Sequence, residues 1–263
     1  MSGSLHVRVE GIAFWSSRLP SWEVARAVIR GEAAAPAAGG RPVPTLLAPT
    51  ERRRAPDTVA VALEVAAKAC EAAGRAPATL PSVFASTHGD IAISDYMCAT
   101  LASTPTLISP IKFHNSVHNA AAGYWSIGTG AVAPYTAISA YEHTFGAGVL
   151  EAATQAVCEA KPVLLVAFDI EAKGALGTVT TSRGMVGAAL VFGPEDSHRG
   201  ERLALHVDAN ADAAITPASS PAAEYIAGNA LAPCLPLFEL LARGDADVRL
   251  ALGARMALRV QRM

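Results

Sequence analysis

The stretch Phe113 to Glu159, FHNSVHNAAAGYWSIGTGAVAPYTAISAYEHTFGAGVLEAATQAVCE, decides how this chain folds. It divides into three linked pieces. A polar loop, His114 to Asn119, opens onto a helix of small residues, Ala120 to Thr129. A strand, Pro134 to Ile138, comes next, and a second helix runs from about Tyr141 to Glu159. Only Ser139 and Ala140 separate strand from helix. So tight a turn leaves its side chains at the carboxyl end of a sheet, where open α/β sheets hold ligands and where nucleophile elbows are built.

Working outward, the flanks supply more of the same alternation. His6 to Trp15 alternates and is rich in β formers, which predicts a first strand. Ser21 predicts the cap of a helix from Trp22 to about Gly31. Ala33 to Pro44 is punctuated by Pro and Gly and reads as a connection. Asp57 predicts the cap of a long helix, Thr58 to Ala73, ending at Gly74, with Val59, Ala62, Leu63, Ala66, Ala69 and Cys70 on its buried stripe. Pro81 to Ser86 is a short buried strand. If it runs parallel to Pro134–Ile138, the loop Thr87-His88-Gly89-Asp90 lies at the same sheet end as Ile138. A helix over Ser94–Ala102 and a loop over Leu107–Asn119 lead back to the central stretch.

Downstream, Lys161 to Asp169 is a continuous apolar run entered through Pro162, the pattern of a buried parallel strand. Glu171 to Arg183 crosses to a strand at Met185–Phe192, and another begins at Leu203–Val207. Ala211 to Pro221 is a loop of small and polar residues. A helix over Leu235–Ala242 precedes a closing strand pair, Val248–Gly253 and Met256–Val260. The first strand has no core without the later elements, so residues 1–263 form one α/β domain.

The chain has 263 residues, 51% of them hydrophobic and 17% charged, with a formal net charge of −2. That is a globular composition without the basic excess of a nucleic-acid binder. No run approaches the roughly 20 continuous apolar residues of a membrane helix. The first residues lack a basic segment followed by an apolar one, so no secretory signal is expected. Cys70, Cys98, Cys158 and Cys234 are scattered without a CxxC pair. They predict neither a zinc site nor a disulfide framework, fit a reducing cytoplasm, and read as small buried apolar residues.

The order NxAAG, small helix, strand, T-A-x-S, long helix resembles the first half of a β-ketoacyl synthase, a thiolase-like enzyme. In that family the turn reads T-A-C-S or close to it, and the Cys is the acylated nucleophile. Here the run is Thr136-Ala137-Ile138-Ser139, and an Ile side chain has nothing a base can activate. The family's later catalytic histidine motifs are absent from residues 195–263. From about Val7 onward the chain is similar to short chain length factors of aryl-polyene and xanthomonadin-type pigment pathways. Glu51-Arg52-Arg53-Arg54-Ala55-Pro56, Val83-Phe84-Ala85-Ser86-Thr87-His88-Gly89-Asp90 and Ser116-Val117-His118-Asn119-Ala120-Ala121-Ala122-Gly123 carry that likeness.

The resemblance implies a thiolase-like layered α/β fold, with a full first half over 1–195 and a shortened remnant of the second over 196–263. It implies a subunit without condensation chemistry of its own. Such a subunit pairs with an active ketosynthase as a heterodimer in type II polyketide or fatty-acid-like elongation. It needs no resident cofactor, because substrates ride on the phosphopantetheine of an acyl carrier protein. His114, Asn115, His118, Asn119, Tyr135, Ile138 and Ser139 are then candidates for lining a channel or an interface. Arg52, Arg53 and Arg54 are candidates for a carrier-protein contact steered by charge; the plainer alternative is a solvated face.

Two other readings stay open. Ser139, or less so Cys98, with His118 or His143 as base, would make a stand-alone acyltransferase or thioester hydrolase. A structural homodimer that binds a carrier protein is the other. His114 and His118 have the spacing of two metal ligands on a helix, but no third ligand or HExxH glutamate accompanies them, so no metal is expected. Their simpler role is to pair backbone groups in the loop.

Overall fold

A computed structural model describes residues 3–209 and 214–263. Eight strands form one mixed sheet in the order β3-β2-β4-β5-β1-β6-β8-β7. They are β1 (Leu5–Ser16), β2 (Ser82–Ala85), β3 (Tyr135–Ile138), β4 (Val163–Asp169), β5 (Val186–Pro194), β6 (Glu201–Asp208), β7 (Asp247–Gly253) and β8 (Met256–Arg262). β2 runs parallel to both β3 and β4, whereas every pair from β4 to β7 is antiparallel. The Lys161–Asp169 run is therefore parallel on one side only. Its seven strand residues are all buried, because helices cover both faces, and that explains why it reads as continuous rather than alternating.

Among the described residues eight α-helices accompany the sheet: α1 (Trp22–Ile29), α2 (Pro49–Arg54), α3 (Asp57–Ala73), α4 (Ile91–Ser103), α5 (Pro110–Asn115), α6 (Ala120–Thr129), α7 (Thr144–Cys158) and α8 (Leu235–Arg243). One core joins a sheet face to α1, α7 and α8. The other joins the opposite face to α3 and α6. α3 is buried from Thr58 through Leu63 without a break, since the sheet covers one side and α6 part of the other. The alanines of α6 permit that approach.

α7 occupies the centre. A Cβ on Gly146 would collide with the Ala251 carbonyl of β7, and one on Gly148 would stand 2.9 Å from the Ala85 Cβ of β2. Both glycines are thus required by close approach on two sides of one helix. No helix among the described residues is long and apolar enough to cross a membrane.

Several local expectations are corrected. Asp57 is the first residue of α3 rather than its cap; extended Pro56 occupies the cap position, and Asp57 pairs with Arg41 at 3.0 Å. The segment 107–119 contains α5, because Pro110 fixes φ for a first turn and the Ser109 side chain caps it at Lys112 N. The strand–helix unit is interrupted by a 3₁₀ turn, Tyr141–His143, where Tyr141 has φ +52°. Cys70 and Cys234 are buried but Cys98 and Cys158 are exposed. The expected loop 211–221 falls partly on 211–213, outside the described residues.

Candidate functional site

The parallel register aligns Ala85 with Ile138 and Ala85 with Ala167. The carboxyl ends of β2, β3 and β4 therefore meet. Ile138, partly buried, packs against the core shared by α7 and α8. At the position resembling the family's nucleophile the surface is hydrocarbon. Ser139, one residue on, is exposed and its Oγ donates to the Thr87 carbonyl at 3.0 Å.

The loop after β2 is clamped by a carboxylate that the sequence does not flag. Asp169, at the end of β4, is 1% exposed. It accepts from Ser86 Oγ at 2.9 Å, from Thr87 N at 3.1 Å and from His88 N at 3.3 Å. Burial pushes its carboxyl above the usual range, against the pull of those donors. Gly89 turns the loop with φ +59°, and a Cβ there would stand 3.3 Å from the His118 ring. Asp90 caps α4, accepting from Ile93 N at 2.9 Å and from Thr58 Oγ1 at 2.8 Å; burial likewise raises its carboxyl.

Among the histidines, His118 Nε2 lies 2.8 Å from the Ser86 carbonyl. A carbonyl only accepts, so this nitrogen carries the proton and is not a free base. His143 makes no hydrogen bond to Ser139, and its Nδ1 is buried without a partner. The hydroxyl of Ser139 is thus joined to neither imidazole. His114 stacks edge-on against Tyr124 at 6.4 Å and lines a separate hollow with Leu47, Pro110 and Ile127. No group of three or more His, Cys, Asp or Glu among the described residues is placed to hold a metal. Asn119 Nδ2 donates to the Tyr135 hydroxyl at 3.0 Å, tying the start of α6 to β3. Asn115 is buried and its Oδ1 has no partner.

Beside the clamp lies a cavity of about 590 Å³, reached by Thr87, His88, Tyr141, His143, Thr180 and Asn229. His88 Nε2 and Thr180 Oγ1 are 2.9 Å apart. Asn229 fixes the wall, donating to the Arg183 carbonyl at 2.8 Å and accepting from Leu231 N at 2.9 Å. The bulky Tyr141 in a left-handed conformation sits at this mouth, the kind of strain that gathers at sites.

Two surfaces flank these strand ends. β3 is the sheet's last strand, with one edge unpaired. Tyr135 on β3 and Val132 just before it are exposed, as are Leu107, Ile111, Phe113, Val117 and Ile127 in the segments that precede β3 in the chain. On α2 no residue is buried. Arg52 donates to the Leu47 carbonyl at 2.9 Å, whereas Arg53 and Arg54 have no partner among the described residues.

The layered α/β fold with a strand-to-helix turn at its site is that of the thiolase-like enzymes. The chain matches the family model described as "Beta-ketoacyl synthase, N-terminal domain" over residues 22–245, and it belongs to that family. A chain in "Ketosynthase (ApeO) in Complex with its Chain Length Factor (ApeC) from Xenorhabdus doucetiae" is similar at 20% identity, TM-score 0.74, covering 98% of this chain and 100% of that one. "The ishigamide ketosynthase/chain length factor" gives 14% identity, TM-score 0.71, and coverage of 98% and 99%. A β-ketoacyl synthase from Burkholderia phymatum STM815 gives 12% identity and TM-score 0.60, covering 93% of this chain and 71% of that one. No curated protein matches the sequence.

Proposed function

We propose that this chain is a non-catalytic, ketosynthase-like chain length factor. It pairs with an active ketosynthase in the cytoplasm and shapes the space in which a chain on an acyl carrier protein is elongated. The observation that carries this reading is Ile138 at the strand end, where covalent catalysis needs an activatable side chain. Family membership supports the fold of a condensing enzyme without supplying its nucleophile. The open edge of β3 and the exposed large apolar side chains between Leu107 and Tyr135 support a partner, since unpaired edges and exposed apolar surface are features that proteins cover. The similar folds in ketosynthase/chain length factor structures suggest what that partner is.

In this role the chain's own residues position rather than react. Ile138 forms part of a wall. Asp169 holds the loop 86–90 against the ends of β3 and β4. Arg53 and Arg54 offer charge to an acidic carrier protein, whose phosphopantetheine brings the acyl group, so the chain needs no cofactor of its own. Ser139 serves the loop through the Thr87 carbonyl.

Co-expression with an active ketosynthase tests the pairing. A one-to-one complex is expected on size exclusion. Phe113→Asp, which puts a charge among those exposed apolar side chains, is expected to abolish the complex and leave the chain's own stability within about 0.5 kcal/mol. A chain that stays alone, or that condenses acyl and malonyl thioesters unaided, overturns the proposal.

A further inference from the structure

A second cavity lies four strands across the sheet from β3, between the carboxyl half of β1, the start of α1 and the outer side of α3, with a volume of about 340 Å³. Two of the chain's three tryptophans, Trp15 and Trp22, contribute to its wall. The third, Trp125, is buried in the core with α3 and α6. Four charged side chains complete the wall: Glu23, Glu64, Lys68 and Glu71.

Those charges are not equivalent. Lys68 Nζ is engaged by Glu71 at 2.8 Å. The Glu23 carboxylate lies in the first turn of α1 and is held by Ser21 and its own backbone, which lowers its proton affinity. Glu64 has neither hydrogen bond nor ion pair among the described residues. Burial pushes its carboxyl up, with Lys68 opposing only in part. The wall thus carries one half-buried carboxylate with no direct partner, because the nearby Lys68 is taken by Glu71, beside Trp15 and beside Trp22, whose ring also packs edge-on against Phe238 at 5.7 Å. An indole face attracts a cation through its quadrupole, and a nearby carboxylate completes the charge balance.

We propose that this cavity binds a small organic cation, an amine or quaternary ammonium carrying a short apolar group, between Trp15 and Trp22 with Glu64 as counter-ion. An anion would face three carboxylates against one ammonium that Glu71 already holds, and a purely apolar ligand would leave Glu64 unpaired. The site is remote from Ile138 and does not depend on the subunit reading.

The cavity tryptophans make the test direct. The purified full chain is titrated with choline and with its neutral counterpart 3,3-dimethylbutan-1-ol, following tryptophan fluorescence and heat. Choline is expected to give a saturable change, at least about tenfold tighter than the alcohol. Glu64→Gln is expected to weaken choline by about tenfold without lowering the melting temperature, and Trp22→Ala to abolish the signal. No saturation at millimolar choline, equal binding of the alcohol, or unchanged affinity in Glu64→Gln would each overturn the proposal. Should Trp22→Ala fail to fold, the Glu64 variant and the ligand pair still decide it.

Discussion

At the scale of single residues, the chemistry of this chain is set by what certain side chains are unable to do. Ile138 offers no lone pair, Ser139 gives its proton to a carbonyl, and His118 gives its Nε2 proton to another. The same reasoning identifies residues that hold the fold. Glu10 has no exposed side-chain surface and meets Arg75 at 2.7 Å through two hydrogen bonds. Burial works against its ionised form, but Arg75 and Ser197 prevail and its carboxyl is held below the usual range. A lowered acid stabilises the fold above its unfolded pKa and loses that contribution as pH falls through the folded one. Arg75→Ala strands a buried carboxylate, so it is expected to cost on the order of 3 kcal/mol at pH 7. Urea unfolding between pH 7 and pH 3 checks both parts: the variant's stability should fall less steeply on the acid side than that of the native chain. Parallel acid limbs would contradict the assignment.

At the scale of elements, α7 is the piece on which the rest is built, pressed between β2 and β7. Gly146→Ala drives a methyl into the Ala251 carbonyl and is expected to destabilise by about 1–3 kcal/mol. Chemical denaturation reads this, and an unchanged midpoint would mean that α7 is not held so closely. Elements of this kind were legible where local pattern and tertiary context agree. The apolar run of β4, the Ser21 cap of α1 and the αL glycine after α3 are each dictated by their own residues. α5 was not, because six residues show little periodicity and only Ser109-Pro110 signals a start. The exposed Cys98 shows the limit of residue-type averages. The clamp at Asp169 was out of reach for a different reason: it joins Ser86 to a residue 83 positions later, and no local spacing encodes such a contact. The cavity beside it draws on segments from Thr87 to Ala251, and only the folded chain brings these together.

For the molecule as a whole, the sheet carries two different edges. β7 ends one side, where Thr216 bonds the Arg249 backbone; β3 ends the other with an open edge and the exposed Tyr135, after a run of segments that expose Leu107, Phe113, Val117, Ile127 and Val132. That asymmetry accords with a chain that presents one side to a partner. The family resemblance supplied the fold, and the altered residue at the strand end supplied the functional reading; neither came from composition, which separates only broad classes. The most direct test of the central claim is the intact mass of the purified full chain after exposure to a reactive acyl thioester on pantetheine, with an active ketosynthase as control in the same tube. The account predicts that the control is acylated and this chain is not. A single stoichiometric adduct on this chain, mapped to Ser139 or Cys98, would contradict it and make the protein an enzyme in its own right.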